Sequence, residues 1–249
     1  MTHSFSAKQA PSHEYLAWVE REEEMNRLRT QAHVRKSLLV FGPEGVGKSR
    51  LLRGFVENHP HAVYIEQIYS PHGFLLSLLA ALRPSAKTAR IPGNFASLST
   101  LSLKGVVHRV LETQSFLIAL DQLDGPSRVV TGLIKDLYHY GRTPIVFASR
   151  SPHMEDIGTL QPLCADKSER VEMKNWPPHI ALEFAHREAE KTNLIASNLD
   201  SAIQMIVEWS NGNPAAILHM LRMAHLPQYR LGDQIKAHVV YLDHRMGRH

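Results

Sequence analysis

A single cysteine stands among 249 residues, so no internal disulfide can form, and the chain reads as one kept in a reducing, cytoplasmic setting. No apolar run approaches the roughly 20 residues that span a bilayer, so no membrane partner is expected. The N-terminus, MTHSFSAKQAPSHEYLAW, lacks the apolar core of a secretory signal. The 16 histidines scatter without zinc-site spacing, and only Cys164 could join them, which argues against a metal cage of His and Cys. One sign of charge is missing locally. No Asp or Glu falls between Glu66 and Glu112, whereas Arg83, Lys87, Arg90, Lys104 and Arg109 do. The overall formal charge of +4 is too mild to establish a nucleic-acid partner by itself.

What is present is a hydrophobic content of 43% in a chain long enough to bury a full α/β core and a small second unit. The segment 14–31 is charge-rich, with Leu16, Val19, Met25 and Leu28 at near-helical spacing. KSLLVFG, HAVYIEQI, SFLIAL, TPIVFASR and ERVEM read as strands, the third as the central one. Between them lie helical patterns after Gly47, over 73–83, around 101–111 and from Pro126 to Tyr140. Strands alternating with helices imply a parallel sheet covered on both faces, a three-layer α/β/α fold. Beyond NWPP the pattern changes to three helices, over 179–192, 199–209 and 214–224. Residues 1–13 are read as a disordered leader, 14–174 as the α/β domain, 175–226 as a small all-helical domain and 227–249 as a C-terminal helix or tail. In that last segment Ile235, Val239 and Leu242 would share one apolar face.

GPEGVGKS, Gly42 to Ser49, fits the phosphate-loop pattern G-x-x-x-x-G-K-[ST] in full, between a buried strand and a helix. Gly42, Gly45 and Gly47 would let the loop, whose cofactor-binding set also includes Pro43, Glu44 and Val46, wrap phosphates with its available backbone N–H groups, and the helix dipole assists. Lys48 would reach the β- and γ-phosphates, and the Ser49 hydroxyl would hold Mg²⁺. Arg50 follows at the helix start. In FLIALDQLD a hydrophobic run delivers Asp121, the second expected magnesium-site residue, to a strand end. The competing reading makes Asp121 a helix cap, a job that Asp124 can do instead. Many ATPases place Glu after this Asp; here Gln122 stands, an amide that can orient water but cannot accept its proton.

With these motifs in view, the sequence from about Trp18 to Met223 resembles the AAA+ superfamily of P-loop ATPases, near its initiator-like and STAND branches. WVEREEEMNRL resembles the hydrophobic-x-Gly-Arg-Glu box that frames adenine, with Glu20 in place of the glycine. PIVFASR resembles the sensor 1 strand, and Arg150 matches an arginine that senses the γ-phosphate in STAND relatives. NGNPAAIL resembles the Gly-x-Pro signature of the helical lid, which adds Pro214 to the cofactor-binding set. The resemblance implies bound ATP and Mg²⁺, a lid over residues 175–226, and assembly into homo-oligomers in the ATP state. With Gln122 it implies a slow switch, with Lys48, Asp121, Gln122 and Arg150 as the catalytic set. Arg128, Arg142 and Arg150 are the candidates for a contact across a subunit junction.

Two outputs stay open. Initiator-type relatives touch DNA through an insertion that falls near RPSAKTAR, so Arg83, Lys87 and Arg90 would contact duplex phosphates. The same stretch also reads as a solvated surface loop. Alternatively the switch signals through a protein partner docked on the C-terminal helix, a helix that also reads as one packed on its own lid.

Overall fold

The computed structural model describes residues 21–68, 70–84, 86, 91–141 and 143–247. The expected leader, Trp18, Glu20, Lys87, Arg90 and Arg142 lie outside these residues.

Five short apolar segments form one parallel sheet: β1 (Leu38–Phe41), β2 (Ala62–Ile65), β3 (Leu117–Leu120), β4 (Ile145–Ser149) and β5 (Arg170–Glu172). Their order is β2-β3-β4-β1-β5, so every neighbour in sequence after β1 requires a crossover. The middle strand is therefore β4. The sequence reading gave that place to β3, which lies one strand further out, between β2 and β4. All residues of both strands are buried, and hydrophobicity alone does not order two equally apolar strands.

Alternation along each strand divides the core. Leu39, Ile118, Leu120, Ile145 and Phe147 face one side. There they pack on α3 (Pro71–Leu82), α4 (Thr100–Thr113) and α5 (Arg128–Gly141). Leu38, Val40, Leu117, Val146, Ala148 and Val171 face the other, against α1 (Glu22–His33) and α2 (Lys48–Glu57). Helix starts follow local chemistry. Ser70 Oγ accepts from Gly73 N–H at 3.0 Å, with Pro71 in the first turn of α3, and Ser99 Oγ accepts from Ser102 N–H at 3.2 Å before α4. Ser127 Oγ accepts from Val130 N–H at 3.3 Å at the start of α5, the capping job considered above for Asp124.

After a short α6 (Met154–Ile157) and β5 comes a helical segment: α7 (Pro178–Lys191), α8 (Leu199–Trp209) and α9 (Pro214–Ala224). Its own core gathers Trp176, Phe184, Ile203, Ile206, Ile217, Met220 and Val240, and shares no member with the two sheet cores. The residues that follow do not form a single helix. An antiparallel hairpin, β6 (Arg230–Leu231) with β7 (Gln234–Ile235), turns at Gly232, and α10 (Ala237–Arg245) begins only afterwards. Gly232 has φ +62°, a conformation glycine adopts freely and one that breaks the expected helix. Ile235 is buried through the hairpin, whereas Leu242 is 53% exposed, so they do not share an apolar face. No helix among the described residues is long and apolar enough to cross a membrane.

Candidate nucleotide-binding site

The carboxyl ends of β1, β3 and β4 open onto a cleft of about 610 Å³. Its polar wall carries Glu44, Gly45, Val46, Gly47, Lys48, Ser49 and Arg50 together with Asp121, Gln122 and Arg150. Its apolar wall carries Met173, Trp176, Phe184, Pro214, Ala215 and Leu218. Thus residues far apart in sequence, from the phosphate loop to α9, line one space. Gly42 and Pro43 are not among the lining residues. Their carbonyls accept hydrogen bonds from Lys48 Nζ at 2.7 and 2.8 Å. Arg83, at the end of α3, and Arg128, at the start of α5, are exposed and do not line the cleft.

The loop is held by its neighbours. Gly42 N–H donates to Arg150 O at 3.2 Å, and Met173 N–H donates to Phe41 O at 2.7 Å. Gly45 has φ +78°, and a Cβ there would come within 2.6 Å of Asn213 Oδ1 and 2.8 Å of Ala215 Cβ. Only glycine satisfies both the conformation and the contact with α9. Burial pushes the Lys48 ammonium below its ordinary pKa, opposed by the carboxylates of Asp121 and Glu44. A cation made costly by desolvation gains when a phosphate supplies compensating negative charge.

Asp121 is 1% exposed at the end of β3, and both of its oxygens are engaged. Oδ2 accepts from the Tyr64 hydroxyl at 2.6 Å, and Oδ1 accepts from Gln122 N–H at 2.9 Å. Burial, together with the bond to Asp121, pushes the Tyr64 phenol up to about 12, so Tyr64 is the donor. Gln122 has φ +49°, an uncommon backbone state for a non-glycine residue that costs about 1 kcal/mol. That turn lets Leu123 N–H cross to Ala148 O at 2.9 Å, which ties the strand exit to β4 and leaves Gln122 exposed at the cleft. Arg150, at the exit of β4, forms an ion pair with Asp124.

The donor set suits both groups that the motif implies. Ser49 and Asp121 offer hard oxygen ligands in one cleft, as magnesium prefers, and the loop N–H groups and Lys48 offer an anion cradle. When bound, magnesium would neutralise phosphate charge.

Three contributors carried no sequence assignment. Arg21 donates to Val46 O at 3.3 Å and Lys174 O at 2.7 Å, and its guanidinium lies 5.7 Å from the Trp176 ring centroid. It therefore clamps the phosphate loop to the residues after β5. Asn213 donates to Glu44 O at 2.8 Å, and Ala215 N–H donates to Gly45 O at 3.2 Å, which fastens the start of α9 onto the loop. Trp176 N–H bonds Gly212 O at 3.0 Å, and Trp176 forms an edge contact with Phe184. The arginine was visible within WVERE and the tryptophan within NWPP, but their convergence is tertiary.

Comparison with known proteins places the fold. No protein-family model matches the chain, and no curated protein does. Among solved structures it is similar to the Walker-type ATPase PABY2304 of Pyrococcus abyssi, at 20% identity and TM-score 0.65, covering 91% of this chain and 72% of that one. It is also similar to the ORC1 protein of Aeropyrum pernix, solved in complex with DNA, at 14% identity and TM-score 0.67, covering 91% and 65%. A third is the STAND protein with a tetratricopeptide repeat sensor, PH0952, of Pyrococcus horikoshii, at 14% identity and TM-score 0.55, covering 91% and 32%. The chain thus spans about two thirds of the ORC1 protein and one third of the STAND protein. The chain shares its fold, a parallel sheet with flanking helices followed by a helical segment, with these solved structures.

Proposed function

We propose that the chain binds ATP with Mg²⁺ in this cleft, hydrolyses it slowly, and works as a nucleotide-gated switch that assembles on duplex DNA. The observation that carries the reading is the convergence of Lys48, Ser49, Asp121, Arg150 and Pro214 on one cleft. In this reading Lys48 and the loop N–H groups bind the phosphates, Ser49 and Asp121 hold the metal, and residues 175–226 act as the lid. The apolar wall receives the base, and Arg150 leaves Asp124 to meet the γ-phosphate.

Slow turnover follows from the groups available. Gln122, which stands where many ATPases place a glutamate, orients water but cannot take its proton. Charge supports DNA as the object of the switch. Arg83, Lys87 and Arg90 lie in the acid-free stretch, and a structural neighbour was solved with DNA. The likeness to a STAND protein supports the second reading, output through a protein partner docked on the C-terminal helix.

Salt titration of duplex binding separates the two. DNA binding that requires ATP, and loses about one unit of log–log slope per phosphate contact in the Arg83→Ala/Lys87→Ala/Arg90→Ala variant, supports the first. No duplex binding at low salt with nucleotide present shifts the assignment to the protein-partner reading.

A further inference from the structure

We infer that Tyr64 is a positioning residue for the magnesium-site carboxylate, a role that rests on the nucleotide reading above and deepens it. Tyr64 sits on β2, the strand paired with β3, in register with Ala119, two residues before Asp121. Its hydroxyl reaches Asp121 Oδ2 at 2.6 Å. On its other side the same oxygen accepts from Arg53 Nε at 3.2 Å, and the guanidinium lies 5.2 Å from the Tyr64 ring centroid. Arg53 in turn pairs with Glu66 at 2.5 Å. A chain of bonds therefore runs from the surface of α2, through a phenol, to the buried carboxylate.

The order of groups in that chain matters. Were Arg53 bonded directly to Asp121, its positive charge would neutralise the carboxylate and compete with a divalent cation. A neutral phenol placed between them fixes the rotation of the carboxylate and leaves its charge in place. Gln122 N–H holds the other oxygen at 2.9 Å, so the carboxylate is anchored at both ends, and each oxygen keeps a lone pair for a metal or for a water bound to it. Outer groups that orient metal ligands in this way commonly change metal affinity when they are removed. The apolar body of Tyr64 packs against the sheet core beside α2, and phenylalanine would retain that packing. The hydroxyl is the part left to explain, and Asp121 explains it.

The test follows binding of a fluorescent, non-hydrolysable ATP analogue to the full chain while Mg²⁺ is titrated, with a parallel titration in EDTA. Tyr64→Phe is expected to raise the Mg²⁺ concentration at half-saturation about tenfold, while affinity in EDTA stays close to wild type and the melting temperature falls by only a few degrees, the effect of one lost hydrogen bond to a buried carboxylate. In an Asp121→Asn background the same substitution should add no further change, because its only route to the metal is already removed. An unchanged Mg²⁺ midpoint in Tyr64→Phe, with wild type clearly Mg²⁺-dependent, overturns the inference and leaves the nucleotide reading standing. Equal losses with and without Mg²⁺ also overturn it, as they mark a general structural role. Wild type that binds the analogue without any Mg²⁺ dependence overturns the inference together with the metal assignment beneath it.

Discussion

Asn213 joins two jobs in one side chain, and substitution can separate them. Its Oδ1 caps α9 by accepting from Ala216 N–H at 3.1 Å, while its Nδ2 donates to Glu44 O at 2.8 Å and to Asn175 Oδ1 at 3.2 Å. Removing an asparagine cap costs about 1 kcal/mol, and each lost neutral hydrogen bond about another 1, reduced where water replaces the partner. Asn213→Ala should therefore lower unfolding free energy by about 2 kcal/mol in urea titrations. Asn213→Asp keeps the capping oxygen and loses the amide donors, so it should recover about half of that. Nucleotide affinity reads the other job. If the bond to Glu44 shapes the phosphate loop, both variants should bind ATP about three- to tenfold more weakly, a loss of about 0.6–1.4 kcal/mol. An aspartate variant with wild-type affinity would refute the reasoning, since the cap alone would then account for the residue.

Other substitutions probe the same cleft. Gln122→Glu should raise turnover about tenfold, about 1.4 kcal/mol off the barrier, because a carboxylate can accept the proton of the attacking water. Wild type turning over as fast as this variant would contradict a slow switch. Gln122→Gly should stabilise the fold by up to about 1 kcal/mol in denaturant titrations, because glycine adopts the left-handed backbone without cost. Gly45→Ala should destabilise the fold by about 1–3 kcal/mol and weaken nucleotide binding, since its Cβ would meet Asn213 and Ala215. Equal melting temperatures for Gly45→Ala and wild type would show that α9 yields at that contact.

The layered sheet was legible because its strands are apolar runs separated by helix-period segments, and period is a local property. The glycine-rich turn between β1 and α2 was legible because its glycines, Lys48 and Ser49 are contiguous. Strand order was not, since β3 and β4 are equally buried and pair through crossovers that no local pattern encodes. The hairpin after α9 was missed because the apolar spacing of Ile235, Val239 and Leu242 also suits a helix, and Gly232 was the available warning. Tyr64, Arg21 and Asn213 each act across long sequence separations, on Asp121, Lys174 and Glu44. Such pairs need the fold before they can be seen.

The central claim is that this cleft binds ATP through the phosphate loop, and calorimetric titration of Mg²⁺-ATP into wild type and Lys48→Ala tests it most directly. Lys48 lines the cleft, and no neighbouring ammonium replaces it among the lining residues. The account predicts that wild type binds one ATP per chain and that folded Lys48→Ala binds it well over tenfold more weakly, a loss above about 1.4 kcal/mol. Equal affinity in the two proteins, with the variant's unfolding curve unchanged, would contradict the assignment of the phosphate loop.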